Sequence, residues 1–210
     1  MKTILFQGDS ITDCGRNWED GADMGSGYPL FIKAELGFHY PNEYKIYNRG
    51  VRGDRIVNLY ARIKQDIINL APDVMSILIG VNDVLGDIHV QNGVEAEKFY
   101  KIYSMLIEEI KEALPNIKIM ILEPFALRPS AAEAYWDELQ FEVSKRSAKA
   151  REIADKYNLL FVPLQNKFDE AAKLAPSDYW IYDGVHPTEA GHELIRQEWM
   201  KGFQLLMKES

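Results

Sequence analysis

Five short apolar runs alternate with longer stretches of helical periodicity, and this alternation constrains the fold more than any other feature. The runs cover residues 3–7, 44–47, 74–79, 117–122 and 159–164. Each has the length of a buried strand and is too short for an ordinary helix. Between them lie amphipathic stretches at 55–70, 96–114 and 135–157, and a last one follows at 189–207. In the first of these, Ile56, Leu59, Tyr60, Ile63, Ile67 and Leu70 recur at helical spacing, which predicts a helix with one apolar face. Strands separated by helices imply an α/β fold, a mainly parallel sheet covered on both faces. A length of 210 residues suits one such domain and would cramp two. No repeat, low-complexity tract or linker divides the chain, so we expect a single domain over 1–210.

Composition removes several function classes. With 47% hydrophobic and 27% charged residues the chain is ordinary for a folded protein, which argues against intrinsic disorder. A formal net charge of −8 disfavours nucleic acid or an anionic membrane as partner. Cys14 is the single cysteine, so neither an intrachain disulfide nor a cysteine-rich zinc site can form. No stretch approaches the apolar length of a membrane span. Met1-Lys2-Thr3 leads directly into the first run, and the expectation is a cytoplasmic protein.

In open parallel sheets, ligands bind at the carboxyl ends of strands, where the strand order reverses. Gly8-Asp9-Ser10 follows the first run, Asn48-Arg49-Gly50-Val51-Arg52-Gly53 the second, and Gly80-Val81-Asn82-Asp83 the third. If the strand order is 2-1-3-4-5, these three segments meet at one crevice. A fourth segment, Asp183-Gly184-Val185-His186-Pro187, precedes the last helix.

These residue types suit acyl transfer. A serine nucleophile needs a base to take its proton and a group to orient that base. Asp183 and His186, three apart in one loop, are close enough to supply both. The developing oxyanion needs donors, and the candidates are the backbone N–H of Ser10, the backbone N–H of Gly50 and the side-chain amide of Asn82. Each residue also has a plainer role. Ser10 suits a helix cap, Asn82 a turn, Gly50 a bend, and His186 a hydrogen-bonded structural histidine. His192 would suggest a metal site with His186 and Asp183, but it falls inside the last helix and reads as structural. No metal or organic cofactor is expected. The chain has no G-x-S-x-G elbow, no phosphate loop and no dinucleotide fingerprint.

Taken together, the blocks GDS, NRGVRG, GVND and DGVH resemble those of the SGNH hydrolases, the GDSL esterase family. The likeness runs from residue 8 to 192. It matches the family's four residue types to Ser10, Gly50, Asn82 and His186, with Asp183 as the acid. It implies a flavodoxin-like three-layer α/β/α sandwich on a five-stranded parallel sheet of order 2-1-3-4-5. It also implies a serine carboxylesterase working through an acyl-enzyme.

GDSITDCGR, GSGYP, IGVNDV and VHPTEAGH further resemble the bacterial acetylxylan esterase branch. That implies removal of acetyl groups from acetylated carbohydrates, xylo-oligosaccharides first, by a homo-oligomer. Substrate-binding candidates are Asp9, Tyr28, Arg55, Leu85, Trp180 and Val185. Leu85 stands where that branch carries tryptophan, and Asp54-Arg55 replaces a small polar pair. Trp180, between Tyr179 and Tyr182, suits either stacking on a sugar or closing the core. Trp18 and Tyr28 flank a glycine-rich insertion at 21–27 that reads as a pocket rim or a subunit contact. Trp136 reads as packing. The alternatives are a lysophospholipase or general short-chain carboxylesterase, or a non-catalytic carbohydrate-binding protein.

Overall fold

The structure, a computed structural model, describes residues 1–131 and 134–208. The chain runs β1 (Lys2–Gly8), α1 (Ser10–Asp13), α2 (Tyr28–His39), β2 (Tyr44–Asn48), α3 (Ile56–Ala61), α4 (Ile63–Asp66), β3 (Val74–Leu78) and α5 (Val81–Val90). It continues through α6 (Ala96–Ala113), β4 (Lys118–Leu122), α7 (Trp136–Tyr157), β5 (Leu160–Val162), α8 (Gln165–Ala171), α9 (Ser177–Trp180) and α10 (Glu189–Lys208). The five strands form one parallel sheet of order β2-β1-β3-β4-β5. This is the three-layer, flavodoxin-like arrangement that the resemblance implied.

Residue alternation along the strands feeds two separate cores. Ile4, Phe6, Val74, Leu78, Met120 and Leu122 face one side and pack with side chains of α2 and α10, among them Tyr28, Ile32 and Trp199. Leu5, Met75, Ile77, Ile119 and Ile121 face the other and pack with α3, α6 and α7. Strands buried on both faces read as continuous apolar runs, which is how they showed in the sequence. Each such side chain contributes about 1.5–3 kcal/mol of burial.

One predicted helix is broken. The apolar stripe at 55–70 is carried by α3, α4 and a short 3-10 turn at Ile68–Leu70. The backbone leaves helical geometry at Arg62 (φ −107°, ψ 15°). There the guanidinium bonds Asp54 Oδ2 at 2.7 Å, Arg49 O at 2.7 Å, Gln7 Oε1 at 2.9 Å and Asp66 Oδ2 at 3.0 Å. The same guanidinium also bonds Gly8 O at 3.3 Å. Periodicity records which residues face the core, and it is blind to one side chain bonding five partners.

The order reverses between β1 and β3, whose last residues, Gly8 and Leu78, are register partners. Val51 N donates to Gly8 O at 3.0 Å, so the segment after β2 leaves along the same edge. The loops after β1, β2 and β3 therefore start side by side.

Candidate active site

Asp9 follows β1 and caps α1, its Oδ1 accepting Ile11 N–H at 3.0 Å. Ser10 is thereby fixed at the first position of a short helix. Its Oγ lies 2.9 Å from His186 Nε2, and His186 Nδ1 lies 2.7 Å from Asp183 Oδ2. Asp183 Oδ1 in turn accepts the backbone N–H groups of Val185 (3.0 Å) and His186 (2.8 Å). One carboxylate thus folds its own loop and orients the imidazole that follows.

Charge at the site follows from these contacts. The Asp183 hydrogen bond raises the His186 pKa above its ordinary 6.5, against burial, which lowers it. Burial pushes the Asp183 carboxyl up, but the His186 side chain and the two backbone donors outweigh it and hold the carboxyl well below the usual range. Burial pushes Asp9 up to about 7 and Asp83 up to about 8. Asp83 sits behind Asn82, accepting Ile56 N–H at 3.1 Å.

Two cavities meet at the Ser10–His186 pair. The larger, about 900 Å³, is lined among others by Gly53, Arg55, Asn82, Leu85, Val185 and His186. The smaller, about 240 Å³, lies against Ser10, Cys14, Gly15, Pro187 and His192. Arg52, Tyr182 and His186 border both. Among the described residues, no group of three or more His, Cys, Asp or Glu side chains is arranged to hold a metal.

Of the oxyanion candidates, Asn82 lines the large cavity. Its Nδ2 donates to Asp54 O at 3.2 Å, leaving its second proton for a ligand. The backbone N–H of Ser10 has no acceptor among the described residues. Gly50 is a correction. Its N–H donates to Asn48 Oδ1 at 2.8 Å, inside the protein and away from both cavities. Asn48 Nδ2 holds Thr12 O (2.6 Å) and Met24 O (2.9 Å), so this asparagine staples three loops together. The glycine at the cavity wall is Gly53, in the left-handed region at φ +79°, with an N–H that has no acceptor among the described residues. NRGVRG offers two glycines, and the signal that separates them is the asparagine two residues before the first, whose side chain turns back to take that glycine's amide.

The substrate-binding expectations divide. Arg55, Leu85 and Val185 line the large cavity. Asp9, Tyr28 and Trp180 line neither cavity. Asp9 is 1% exposed and caps a helix instead. Tyr28 is fully buried, its hydroxyl bonded to Thr12 Oγ1 at 2.9 Å. Trp180 packs against the core beneath the Asp183 loop. Trp136 is buried as expected and also walls the large cavity, beside Tyr135. Trp18 donates its indole N–H to Asp13 Oδ2 at 2.8 Å. His192 accepts Tyr28 N–H on Nδ1 at 3.2 Å and lies 3.4 Å from Cys14 Sγ through Nε2.

Residues 6–194 match the model of the GDSL-like lipase/acylhydrolase family. An acetylxylan esterase of Geobacillus stearothermophilus is 30% identical over 96% of this chain and 94% of that protein. Its crystal structure superposes with a TM-score of 0.86 at 29% identity, covering 96% of this chain and 93% of that one. Catalytic mutants of that esterase have also been solved, one with a serine and one with an aspartate replaced by alanine. A structure from Parabacteroides merdae, assigned to the GDSL-like lipases, reaches a TM-score of 0.90 at 40% identity, covering 97% of this chain and 96% of that one. With its sequence matched from strand β1 into helix α10 and its fold shared throughout, the chain belongs to the GDSL-like lipase/acylhydrolase family and is a carboxylic ester hydrolase.

Proposed function

We propose that the protein is a serine acetylesterase acting on acetylated carbohydrates of oligosaccharide size. The observation that carries this reading is the bonded chain Ser10 Oγ, His186, Asp183, in which His186 and Asp183 line a cavity of about 900 Å³ and Ser10 the smaller one that shares His186 with it. His186 takes the Ser10 proton as Oγ attacks the ester carbonyl, and Asp183 stabilises the imidazolium that forms. The N–H groups of Ser10 and Gly53 and the Asn82 amide hold the oxyanion. His186 returns its proton to the departing sugar hydroxyl, leaving an acetyl-enzyme. Water, deprotonated by His186, then releases acetate. The acetylxylan esterase relative supports the acetyl and sugar parts of this reading.

A second reading, a general short-chain carboxylesterase, is favoured by Leu85, Val90 and Leu139 in the cavity wall, which suit an apolar acyl or alcohol group. Acetate or acid release from 4-nitrophenyl acetate, butyrate and octanoate, peracetylated xylose and xylobiose, with Ser10→Ala beside the parent, separates the two. Fast Ser10-dependent deacetylation of the sugars supports the first reading, and preference for 4-nitrophenyl acetate or butyrate over the sugars supports the second. No Ser10-dependent turnover on any ester sinks both.

A further inference from the structure

Arg52 is unlike every other arginine in the chain. The others are engaged, holding carboxylates as Arg62 holds Asp54 at 2.7 Å, or covering rings as Arg151 covers Phe161. Even Arg55, in the same cavity wall, donates to Asn58 Oδ1 and Asn92 O, and its charge faces Asp54 and Asp83. The exposed Arg52 side chain makes no hydrogen bond, ion pair or ring contact among the described residues. Its backbone is held, because Arg52 N–H donates to Asp13 Oδ2 at 3.3 Å and Asp13 also anchors the loop after α1. The guanidinium therefore has a fixed root and a free end.

That free end is beside the chemistry. Arg52 borders both cavities, as His186 does, and its charge opposes protonation of the imidazole. The reaction needs His186 to become an imidazolium, so an uncompensated guanidinium nearby works against it. An anion on the substrate would reverse this, removing the opposition and gaining a charge-assisted, bidentate pair as water leaves the cavity. The chain is acidic overall, with a net charge of −8, so it repels polyanions at long range. One unpaired guanidinium suits one negative charge on a small molecule.

We propose that the preferred substrate is an acetylated acidic saccharide, whose carboxylate, as in a uronic acid, pairs with Arg52 while its acetyl ester faces Ser10. This rests on the esterase reading above and narrows its substrate class.

The test compares acetate release from mono-acetylated methyl glucuronoside and mono-acetylated methyl glucoside. Parent, Arg52→Gln, Arg52→Lys and Ser10→Ala proteins are assayed, each at low salt and at about 0.5 M KCl. We expect the parent to prefer the acid by about tenfold or more in kcat/KM, the size of one charge-assisted contact. Arg52→Gln should bring the ratio near one, Arg52→Lys should keep part of it, and salt should shrink it in the parent. A parent ratio near one, or a ratio that Arg52→Gln leaves in place, overturns the proposal while the esterase reading stands. No Ser10-dependent release from either sugar overturns both.

Discussion

Gly184 lies under the six-membered ring of Trp136, which occupies the place where a side chain at 184 would begin. The glycine sits at φ +89°, and its carbonyl accepts Leu127 N–H at 2.9 Å. The middle of the Asp183–His186 loop is thus clamped between a backbone bond and an indole. Gly184→Ala should push the loop off the ring and displace His186 by a fraction of an ångström. We expect kcat to fall about 10- to 100-fold, with part regained on adding Trp136→Leu. A variant that melts earlier but keeps its kcat would count against the clamp.

Removing the nucleophile or the orienting acid should separate catalysis from binding. Ser10→Ala should lower kcat by about three orders of magnitude or more, and Asp183→Asn by a comparable factor. Asp183→Asn should leave the loop folded, because the amide keeps one oxygen for the two backbone donors and loses the one that holds the imidazole. Acetate release with circular dichroism on the same samples checks both. Retention of a tenth of the parent rate in Ser10→Ala would remove Ser10 from the mechanism.

The two glycines after β2 should behave differently. A Cβ at Gly50 would come within 2.8 Å of the Thr12 carbonyl carbon and 2.9 Å of Thr12 Cβ, so Gly50→Ala is expected to destabilise the fold by several kcal/mol. A Cβ at Gly53 meets nothing within 4 Å, leaving only the cost of φ +79°, about 1 kcal/mol. Asn82→Ala should instead cost about 10²- to 10³-fold in kcat with little loss of stability. Thermal melts beside kcat values check all three, and a Gly50→Ala protein as stable as Gly53→Ala but with kcat lowered would return Gly50 to the oxyanion candidates.

Activity should depend on pH with a definite sign. His186 accepts the Ser10 proton only when neutral, so kcat/KM rises with pH through the His186 pKa, which lies above 6.5. Asp183→Asn removes the main cause of that elevation and should move the residual activity's midpoint down. Arg52→Gln removes a charge that lowers the His186 pKa and should move it up. Profiles on a neutral acetyl ester read these shifts, and an unmoved midpoint in both variants would show that another group titrates.

Stability should depend on pH through buried groups outside the proton relay. His192 is buried, which drives its pKa down to about 4, so the folded protein holds it neutral. That contribution is complete above pH 6.5 and is lost as pH falls from 6.5 toward 4. Asp9 and Asp83 act oppositely, with folded pKa values of about 7 and about 8 against 3.8. Their share is complete below 3.8 and lost as pH rises toward 7 and 8. Between pH 6.5 and 8 the two carboxylates act together with His186, whose folded pKa also lies above its unfolded 6.5, and stability should fall by about 1 kcal/mol per pH unit for each proton lost. Chemical melts across that range measure it, and Asp83→Asn should flatten the slope. A slope that Asp83→Asn leaves unchanged would mean that Asp83 is already ionised in the folded protein.

The sheet and its order were legible because each strand is buried on both faces and interrupted by helices, so apolar runs such as 74–79 have one reading. Ser10, Asn82 and the Asp183–His186 loop were legible because their types and their places at strand ends agree. The rest depends on contacts that spacing does not encode. Nothing in GDS distinguishes an aspartate that binds substrate from one that caps α1. Trp180 and Trp136 are equally aromatic in the sequence, yet it is Trp136 that packs over Gly184 and so reaches the cavity. The interruption at Arg62 comes with five acceptors, among them Gln7 and Gly8 on the first strand.

Ser10 and His186, 176 positions apart, are joined by one hydrogen bond. The serine enters with the first strand, and the histidine arrives just before the last helix, which packs beside α2 on the same face of the sheet. On the mechanism proposed above, the chain emerges during synthesis with its nucleophile first and stays inert until nearly everything else has been made. An amino-terminal piece that lacks residue 186 lacks the proposed relay, so topology on that mechanism denies acyl transfer to nascent chains. Turnover becomes a late reporter of complete folding, and a refolding assay that follows ester cleavage would record when the carboxyl-terminal helix docks.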